Sequence, residues 1–272
     1  MSTQIATVPD RIAAKFAAVK AEGRPGLVMF VTVGHPYKDA ALDVVPRLVE
    51  AGADAIELGM PFSHPVGEGP VIQASSFVAL QNGVTVRDCL DTAAALRPQV
   101  GETPLILMGY YNPVMSFGLG AFAAACAGAI VDGLIIVDLP SSEADALVAE
   151  LDPYGIRLIP LLAPTSTDES IERSVALGGG FVYCTSVVGI TGTRSEVSDR
   201  GLDLVDRVRQ RTDLPIAVGF GISRREHVLD VGKRADAAAV GSLLVRALAD
   251  GPDEQAADRG AAVVAELAGR TP

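Results

Sequence analysis

Two glutamates eleven residues apart are the strongest candidates for acid–base chemistry in this sequence. Glu57 lies inside the apolar run IELG, and Glu68 follows on a loop between Gly67 and Gly69. A carboxylate that faces a protein interior is costly when charged, so burial raises its pKa towards the range used for proton transfer. Two carboxyl groups in different environments commonly divide the roles of acid and base. The pair therefore predicts proton-transfer catalysis.

Each glutamate also has an interpretation without catalysis. In one alternative, Glu57 points outwards between helices or forms an ion pair with an arginine. In the other, Glu68 is an ordinary solvated acid on a glycine-flanked loop. The catalytic interpretation therefore depends on both side chains reaching one cavity.

Glycine-rich turns follow the last three predicted strands. They are GITG at 189–192, GFG at 219–221, and Gly241-Ser242 at the start of a predicted helix, 243–248. Backbone N–H groups at glycines can approach oxyanions closely, and the N-terminus of a helix adds a favourable dipole. Three such turns in successive loops predict a phosphate site.

Other residue types that could do chemistry give weaker signals. Tyr110, Asp138 and Tyr183 are placed in or at the ends of predicted strands, where a tyrosine ring could form a flat wall for an aromatic substrate or simply pack in the core. The three histidines are scattered without the spacing of metal ligands, and no Ser-His-Asp arrangement is visible. The sequence therefore predicts no metal site.

Composition limits the partners. The chain has 22 Lys+Arg and 33 Asp+Glu, a net charge of −11, so binding to a polyanion would gain nothing from counterion release. We therefore expect neither nucleic acid nor an anionic membrane as a partner. Cys89, Cys126 and Cys184 form no CxxC pair and are predicted to be buried, reduced thiols. With no signal-like N-terminus and no apolar run of about 18 residues, the sequence predicts a cytoplasmic protein.

Eight short apolar runs alternate with helical patterns along the chain. Most runs are continuously apolar, which is typical of parallel strands covered on both faces. The predicted strands are 27–33, 55–58, 104–109, 133–137, 157–162, 181–184, 215–218 and 237–240. The helices predicted between them, several after a capping Thr85, Ser141, Thr167 or Ser223, are 38–51, 86–96, 142–151, 168–177, 202–211 and 225–231.

This alternation is compatible with a closed (β/α)8 TIM barrel or an open doubly wound sheet. The G-x-G-x-x-G fingerprint expected of the open sheet is absent after the first strand, and glycine turns after the last strands are typical of phosphate-binding barrels. We therefore predict one α/β barrel domain over residues 1–272, with a core of about 11–250. The first ten residues and the tail from about Asp250 are predicted to be loosely held, although 256–267 could close as a helix.

Taken in order, these motifs resemble those of the tryptophan synthase alpha chain family, over roughly Arg11 to Leu248. The signature of that family, [I/L]-E-[L/I/V]-G-x-P-[F/Y]-S-D-P-x-A-D-G-P, stands here as IELGMPFSHPVGEGP. The other matching segments are FVTVGHP, YYNP, VDLP, GITG with Arg194, VGFGIS and VGS.

The resemblance implies a lyase that cleaves indole-3-glycerol phosphate to indole and glyceraldehyde 3-phosphate in tryptophan biosynthesis. It assigns proton transfer at the indole C3 and the glycerol hydroxyl to Glu57, and acceptance of the indole N–H proton to Glu68. The implied indole pocket is Phe30, Tyr110, Ile135, Leu161, Tyr183 and Phe220. The implied phosphate ligands are Gly192, Gly221, Gly241 and Ser242.

The resemblance also implies a partner. Family members work with a β chain in an α–β–β–α complex, and pyridoxal phosphate is expected only on that β chain, so none is expected here. Four positions depart from the family. Glu68 replaces an aspartate and adds one methylene, and Gly67 replaces an alanine. His64 and His35 replace two aspartates near the mouth, which changes the face expected to meet the β chain.

Three other functions remain open at this point. The chain could be a free-standing indole-3-glycerol phosphate lyase, which the changed partner face would suit. It could be a weakly active alpha-like subunit that mainly activates a partner, as the longer acid Glu68 suggests. A remote alternative is another phosphate-binding barrel, such as an isomerase of phosphorylated sugars, which would lack the ELGMPFS stretch.

Overall fold

A parallel sheet rolled into a barrel forms the centre of the molecule. The computed structural model describes residues 10–185, 199–219 and 221–270. Its strands are β1 Gly26–Thr32, β2 Ala55–Gly59, β3 Leu105–Gly109, β4 Gly133–Ile136, β5 Arg157–Leu158, β6 Leu161–Leu162, β7 Val182–Thr185, β8 Ile216–Gly219 and β9 Ala237–Val240. They follow the order β5-β4-β3-β2-β1-β9-β8-β7-β6, and every neighbouring pair is parallel.

The first and last strands in this order are two halves of the fifth predicted strand. β5 pairs with β4, whereas β6 pairs with β7. Between them, the Ile159 N–H donates to the Leu134 carbonyl at 2.8 Å, and the Pro160 carbonyl accepts from the Tyr183 N–H at 2.8 Å. Proline has no N–H to donate, so this strand is divided between its two neighbours. The segment closes the ring, and the predicted eight-stranded barrel is confirmed.

Helices connect successive strands and cover the barrel. They are α1 Arg11–Ala21, α2 Ala40–Ala51, α3 Pro70–Gln81, α4 Val86–Val100, α5 Tyr111–Phe117, α6 Leu119–Gly128, α7 Asp145–Leu151, α8 Asp168–Leu177, α9 Asp199–Arg209, α10 Arg225–Val231, α11 Ser242–Ala249 and α12 Ala256–Ala268. Short 3-10 turns occupy Ser141–Glu143, Asp152–Tyr154 and Asp253–Gln255. Within the described ranges, none of these helices has the length and apolar character needed to cross a membrane.

Two of the four predicted helix caps are confirmed. The side chains of Thr85 and Thr167 accept backbone N–H groups at the starts of α4 and α8. The other two predictions are wrong, because Ser141 begins a 3-10 turn and Arg224, not Ser223, precedes α10. Serine also favours turns, so the residue type alone did not distinguish the two uses.

Helix α1, which was not predicted from the sequence, fills the barrel interior at its amino-terminal end. Ile12 and Phe16 are buried in the same apolar cluster as inward-facing strand residues such as Val28 and Ile106. The Phe16 and Phe181 rings lie 5.3 Å apart, centre to centre. The amino-terminal end of the barrel is therefore plugged by side chains, which leaves the carboxyl-terminal end for a site.

The tail beyond Asp250 is not loosely held; of the two predictions made for it, the helix over 256–267 is confirmed as α12. α12 packs against α2 and α11 and buries Val264 and Leu267. Gly260 makes the approach of the helices close, because a Cβ there would lie 2.9 Å from Leu248 Cδ2 and 3.0 Å from Leu48 Cδ2. The helix closes over the barrel as part of its outer layer, so the packed unit continues to residue 268.

Aspartates at the amino-terminal ends of three strands tie the barrel together; Asp54 and Asp132 are buried, and Asp236 is half-buried. Asp54, Asp132 and Asp236 directly precede β2, β4 and β9. Each accepts the backbone N–H of a neighbouring strand and an arginine. Asp132, only 3% exposed, accepts the Leu105 N–H at 2.8 Å and Arg97 Nη2 at 2.7 Å. These carboxylates accept hydrogen bonds from strand N–H groups that would otherwise have no partner at the amino-terminal end of the barrel.

We expect Asp132→Ala to lower the free energy of unfolding by about 3–5 kcal/mol, because it leaves a buried arginine and a strand N–H without their partner. Urea unfolding would measure the loss. The matched control is Asp145→Ala, which removes a carboxylate paired with Arg173 on the exposed surface. That change should cost at most about 1 kcal/mol. Equal losses in the two variants would contradict this account.

Candidate active site

Glu57 points into the barrel near its carboxyl-terminal end. Side chains alternate along β2, and Ala55, two residues earlier, belongs to the interior cluster. In the sheet, Glu57 stands beside Phe30 of β1 and Ile106 of β3. It is 1% exposed, and its Oε1 has no hydrogen-bond partner among the described residues. The outward alternative is therefore wrong.

Burial gives Glu57 the properties of an acid near neutral pH. Removal from water raises the pKa of Glu57 to about 8, and the nearby charge of Glu68 adds to the shift. Because Oε1 has no donor to stabilise a charged form, the carboxyl group favours its proton. Such a group can give a proton to a substrate at neutral pH and take one back.

Glu68 reaches the same cavity from the loop between β2 and α3. It is half-buried, so it is not the fully solvated loop acid of the alternative interpretation. Burial raises the pKa of Glu68 to about 7. Two neighbouring carboxyl groups resist carrying two charges at once, so near neutral pH the pair holds about one proton between them. One acid and one base are thus available together.

A cavity of about 240 Å³ contains both glutamates and opens at the carboxyl-terminal end of the barrel. One side is apolar, and the other is formed by the last two βα loops and the start of α11. The lining residues are Phe30, Glu57, Gly67, Glu68, Ile72, Met108, Val137, Leu161, Tyr183, Thr185, Gly219, Gly221, Ile222, Ser223, Ala239, Gly241, Ser242, Leu243 and Arg246. This position matches the end where barrel enzymes place their sites.

The predicted phosphate residues lie together on one side, as far as the structure describes them. Gly221 has a φ of +55°, a left-handed conformation that favours glycine. Gly241 precedes α11, and Ser242 is its first residue. Gly192 lies outside the described residues. The start of α11 offers unpaired backbone N–H groups and a positive dipole end to an anion in the cavity.

Arg246 is a cavity residue that the sequence analysis missed. It lies on α11 four residues after Ser242, one helical turn away, and lines the same side of the cavity. The i, i+4 spacing from a predicted phosphate residue was a signal that could have identified it. Arg246 is exposed, and its side chain carries a positive charge that backbone amides lack.

The predicted indole wall is only partly assembled around the cavity. Phe30, Leu161 and Tyr183 line it, whereas Tyr110 and Ile135 do not. Ile135 is fully buried in the interior cluster. Phe220 lies outside the described residues. The apolar side is completed by Ile72, Met108 and Val137. The sequence did not predict them, because the residues that reach the cavity depend on how the loops pack and on how far along each strand the cavity begins.

Gly219 makes room for the ring of Tyr183. A Cβ on Gly219 would lie 2.5 Å from the Tyr183 hydroxyl oxygen, closer than any real contact. Burial raises the pKa of Tyr183 well above its ordinary value, and the charges of both glutamates contribute. Tyr183 is therefore neutral, and its ring serves as a wall rather than as a base.

The two histidines that depart from the family occupy different environments. His35 is only 7% exposed, so it does not contribute to a docking face, contrary to the prediction. Burial lowers the pKa of His35, although the charge of Asp253 opposes the shift, and the ring is neutral near pH 7. His64 is exposed on the β2–α3 loop, with Nδ1 2.9 Å from Ser63 Oγ. Only His64 changes the surface near the cavity mouth.

Neither metal ligands nor reactive cysteines form a further site in the described part of the chain. Within the residues that the structure describes, no three His, Cys, Asp or Glu side chains gather as a metal site would require. The three cysteines are buried and free, as the sequence predicts. Burial raises the pKa of all three thiols, so they are unreactive at neutral pH.

Comparison with known proteins agrees with the geometry. The model of the tryptophan synthase alpha chain family matches residues 16–270. The tryptophan synthase alpha chain of Caulobacter vibrioides is 49% identical over 236 residues, which cover 87% of this chain and 86% of the relative. That of Roseiflexus castenholzii is 45% identical over 239 residues, covering 88% and 92%.

Solved structures give the same result. Mycobacterium tuberculosis tryptophan synthase superposes with a TM-score of 0.87 at 36% identity, covering 97% of this chain and 98% of the other. A chain from the tryptophan synthase a2b2 complex of Pyrococcus furiosus superposes with a TM-score of 0.83 at 35% identity, covering 90% and 99%. The chain therefore belongs to the tryptophan synthase alpha chain family.

Proposed function

We propose that this chain cleaves indole-3-glycerol phosphate to indole and glyceraldehyde 3-phosphate. The observation that carries the proposal is the pair Glu57 and Glu68 in one cavity that also contains the glycine turns and the start of α11. The apolar side fits an indole ring, and the opposite side fits a phosphate. The substrate would lie with its glycerol carbons between the two ends, next to the acid pair.

In the proposed reaction, Glu57 gives its proton to the indole C3 while Glu68 takes the proton from N1. The ring becomes an indolenine, which can accept the electrons of the C3–glycerol carbon bond. When that bond breaks, Glu57 takes the proton of the glycerol hydroxyl as the aldehyde forms, and Glu68 returns its proton to N1. Both glutamates recover their starting states, and no net oxidation or reduction occurs.

We expect Glu57→Gln to lower kcat by about 10²–10⁴-fold, because the amide keeps the shape of the side chain but cannot carry the proton. A coupled assay of indole release from indole-3-glycerol phosphate measures the rate. Since Glu57 is already favoured in its neutral form, the melting temperature should stay close to that of the wild type. Full activity in Glu57→Gln would exclude the assigned role.

The rate should depend on pH as a narrow bell. Glu68 must be ionised to act as a base, and because its pKa is raised to about 7 the rate should fall below that pH. Glu57 must carry its proton, and because its pKa is raised to about 8 the rate should fall above that pH. Measurement of kcat/KM between pH 5.5 and 9.5 gives two limbs that belong to the coupled pair.

The control for this profile is Glu68→Gln, which should slow the reaction and remove the acid limb that Glu68 produces. The phosphate of the substrate also titrates, with a second pKa of about 6, and its effect has to be separated from that of the glutamates. The pH dependence of the inhibition constant of glycerol 3-phosphate measures the effect of the phosphate. A wild-type rate that stays flat from pH 6 to pH 9 would be incompatible with the proposed acid and base.

We also propose a tryptophan synthase β chain as partner, which would bind pyridoxal phosphate and use the indole. The complex described for the Pyrococcus furiosus relative supports this proposal. So do two exposed apolar side chains, Val66 in the loop that follows β2, at 85% exposed, and Met115 on helix α5, which follows β3, at 50% exposed. Exposed apolar residues near a site mouth are typical of an interaction surface. A cytoplasmic location, as predicted from the sequence, would suit an enzyme of tryptophan biosynthesis.

We expect Val66→Asp to weaken binding of a matched β chain by at least tenfold, because a charge would be buried against the partner. Calorimetric titration measures the affinity, and indole release with and without the β chain measures activation. Ile130→Asp is the matched control, since Ile130 is exposed at the opposite end of the barrel and its φ of +55° suits aspartate. Equal turnover with and without the β chain would favour a free-standing lyase.

A further inference from the structure

Tyr110 contacts the loop that carries Glu68 instead of lining the main cavity. Its hydroxyl oxygen accepts the backbone N–H of Gly67 at 3.0 Å. Its ring stacks on Phe62, with centres 4.9 Å apart and planes inclined by 24°. Tyr110 itself is 4% exposed and directly follows β3, so it is part of the rigid barrel. The loop is therefore fixed to the barrel at two points that precede Glu68.

Gly67 permits this close approach because it has no side chain. A Cβ at position 67 would lie 2.6 Å from Val137 Cγ1 and 3.3 Å from the Tyr110 hydroxyl oxygen. Apolar carbons normally approach to about 3.5–4.0 Å, so even a methyl group would push the loop away by about 1 Å. The adjacent Glu68 would move with it.

The other side of Glu68 is held by α3. The Gln73 side chain donates to the Glu68 carbonyl at 2.9 Å, and the Gln73 N–H donates to the Gly69 carbonyl at 3.0 Å. The Glu68 N–H donates to the Pro65 carbonyl at 3.0 Å. With Tyr110 on one side and Gln73 on the other, the backbone of Glu68 has a defined position although the loop is at the surface.

We propose that Tyr110 and Gly67 are positioning residues that dock the β2–α3 loop on the barrel and thereby place the carboxylate of Glu68 opposite Glu57. This inference rests on the proposed function and extends it, because neither residue has to touch the reacting atoms. Catalysis is sensitive to a misplacement of about 1 Å, which can cost about 100-fold in rate. A displacement of Glu68 by about 1 Å, as expected when the docking contact is lost, is therefore enough to lower kcat.

The first test is Tyr110→Phe, which keeps the ring and its stacking on Phe62 but removes the hydroxyl. We expect kcat for indole release to fall about 10- to 100-fold, with KM changed less than threefold because the phosphate side is untouched. The acid limb of the pH profile should also move to lower pH. A loosened loop exposes Glu68 to water, which lowers its pKa. The other ionisable groups at the cavity, Glu57, Tyr183 and Arg246, are not substituted, and the charge of Glu68 acts on Glu57 and Tyr183.

The second test compares two Gly→Ala substitutions on either side of Glu68. Gly67→Ala restores the residue of the family, but in this chain, where the longer Glu68 replaces the aspartate, it introduces the clash with Val137 and should reproduce the loss of kcat and the shift of the acid limb. Gly69→Ala adds the same methyl group where nothing lies within 4 Å, at a φ of −75° that alanine adopts freely. It should keep kcat within about threefold of the wild type. Melting temperatures of all variants report any loss of folding.

Amide hydrogen exchange tests the docking contact without using activity. Exchange of the backbone N–H at position 67 should become at least tenfold faster in Tyr110→Phe and in Gly67→Ala, but not in Gly69→Ala. If the wild type releases no indole from indole-3-glycerol phosphate, the proposed function is wrong. The exchange rates still test the contact between Tyr110 and the N–H of residue 67. Wild-type kcat, an unmoved acid limb and unchanged exchange in Tyr110→Phe would overturn the inference, as would equal losses in the two alanine variants.

Discussion

The confinement of two carboxyl groups in one cavity at the mouth of the barrel governs the chemistry of the site. Water would stabilise both charges, but the barrel interior removes it from Glu57 and partly from Glu68. The pair therefore keeps a proton near neutral pH that isolated glutamates would lose. This retained proton is the source of the acid function, and the remaining charge is the source of the base function.

The barrel supplies what this constraint requires. Helix α1 plugs the amino-terminal end, and aspartates anchor the starts of three strands, so Glu57 lies on a fixed strand above a packed interior. The second carboxyl group comes from a loop, and its position is fixed by Tyr110 and Gln73.

Sequence patterns predicted the barrel, its strands and the inward direction of Glu57, because these follow from local alternation and from continuous apolar runs. They did not reveal the role of Tyr110, since the same residue type packs, stacks or docks depending on contacts with a loop 43 residues away. Helices α3 and α6 were missed because apolar residues surround much of their circumference and leave no clear stripe. The tail helix was underestimated because two of its four buried residues, Ala256 and Gly260, are small, and their burial becomes clear only from the packing of the helix on its neighbours.

The most direct test of the account is the protonation of the two glutamates themselves. In protein labelled with carbon-13 at the glutamate carboxyl carbon, the signals of Glu57 and Glu68 can be assigned from the spectra of Glu57→Gln and Glu68→Gln and followed by NMR from pH 4 to pH 10. If burial holds the proton, Glu57 still carries it at pH 7 and loses it near pH 8, after Glu68 has ionised. Ionisation of both groups below pH 5.5 would show that the cavity retains no proton for catalysis and would contradict the account.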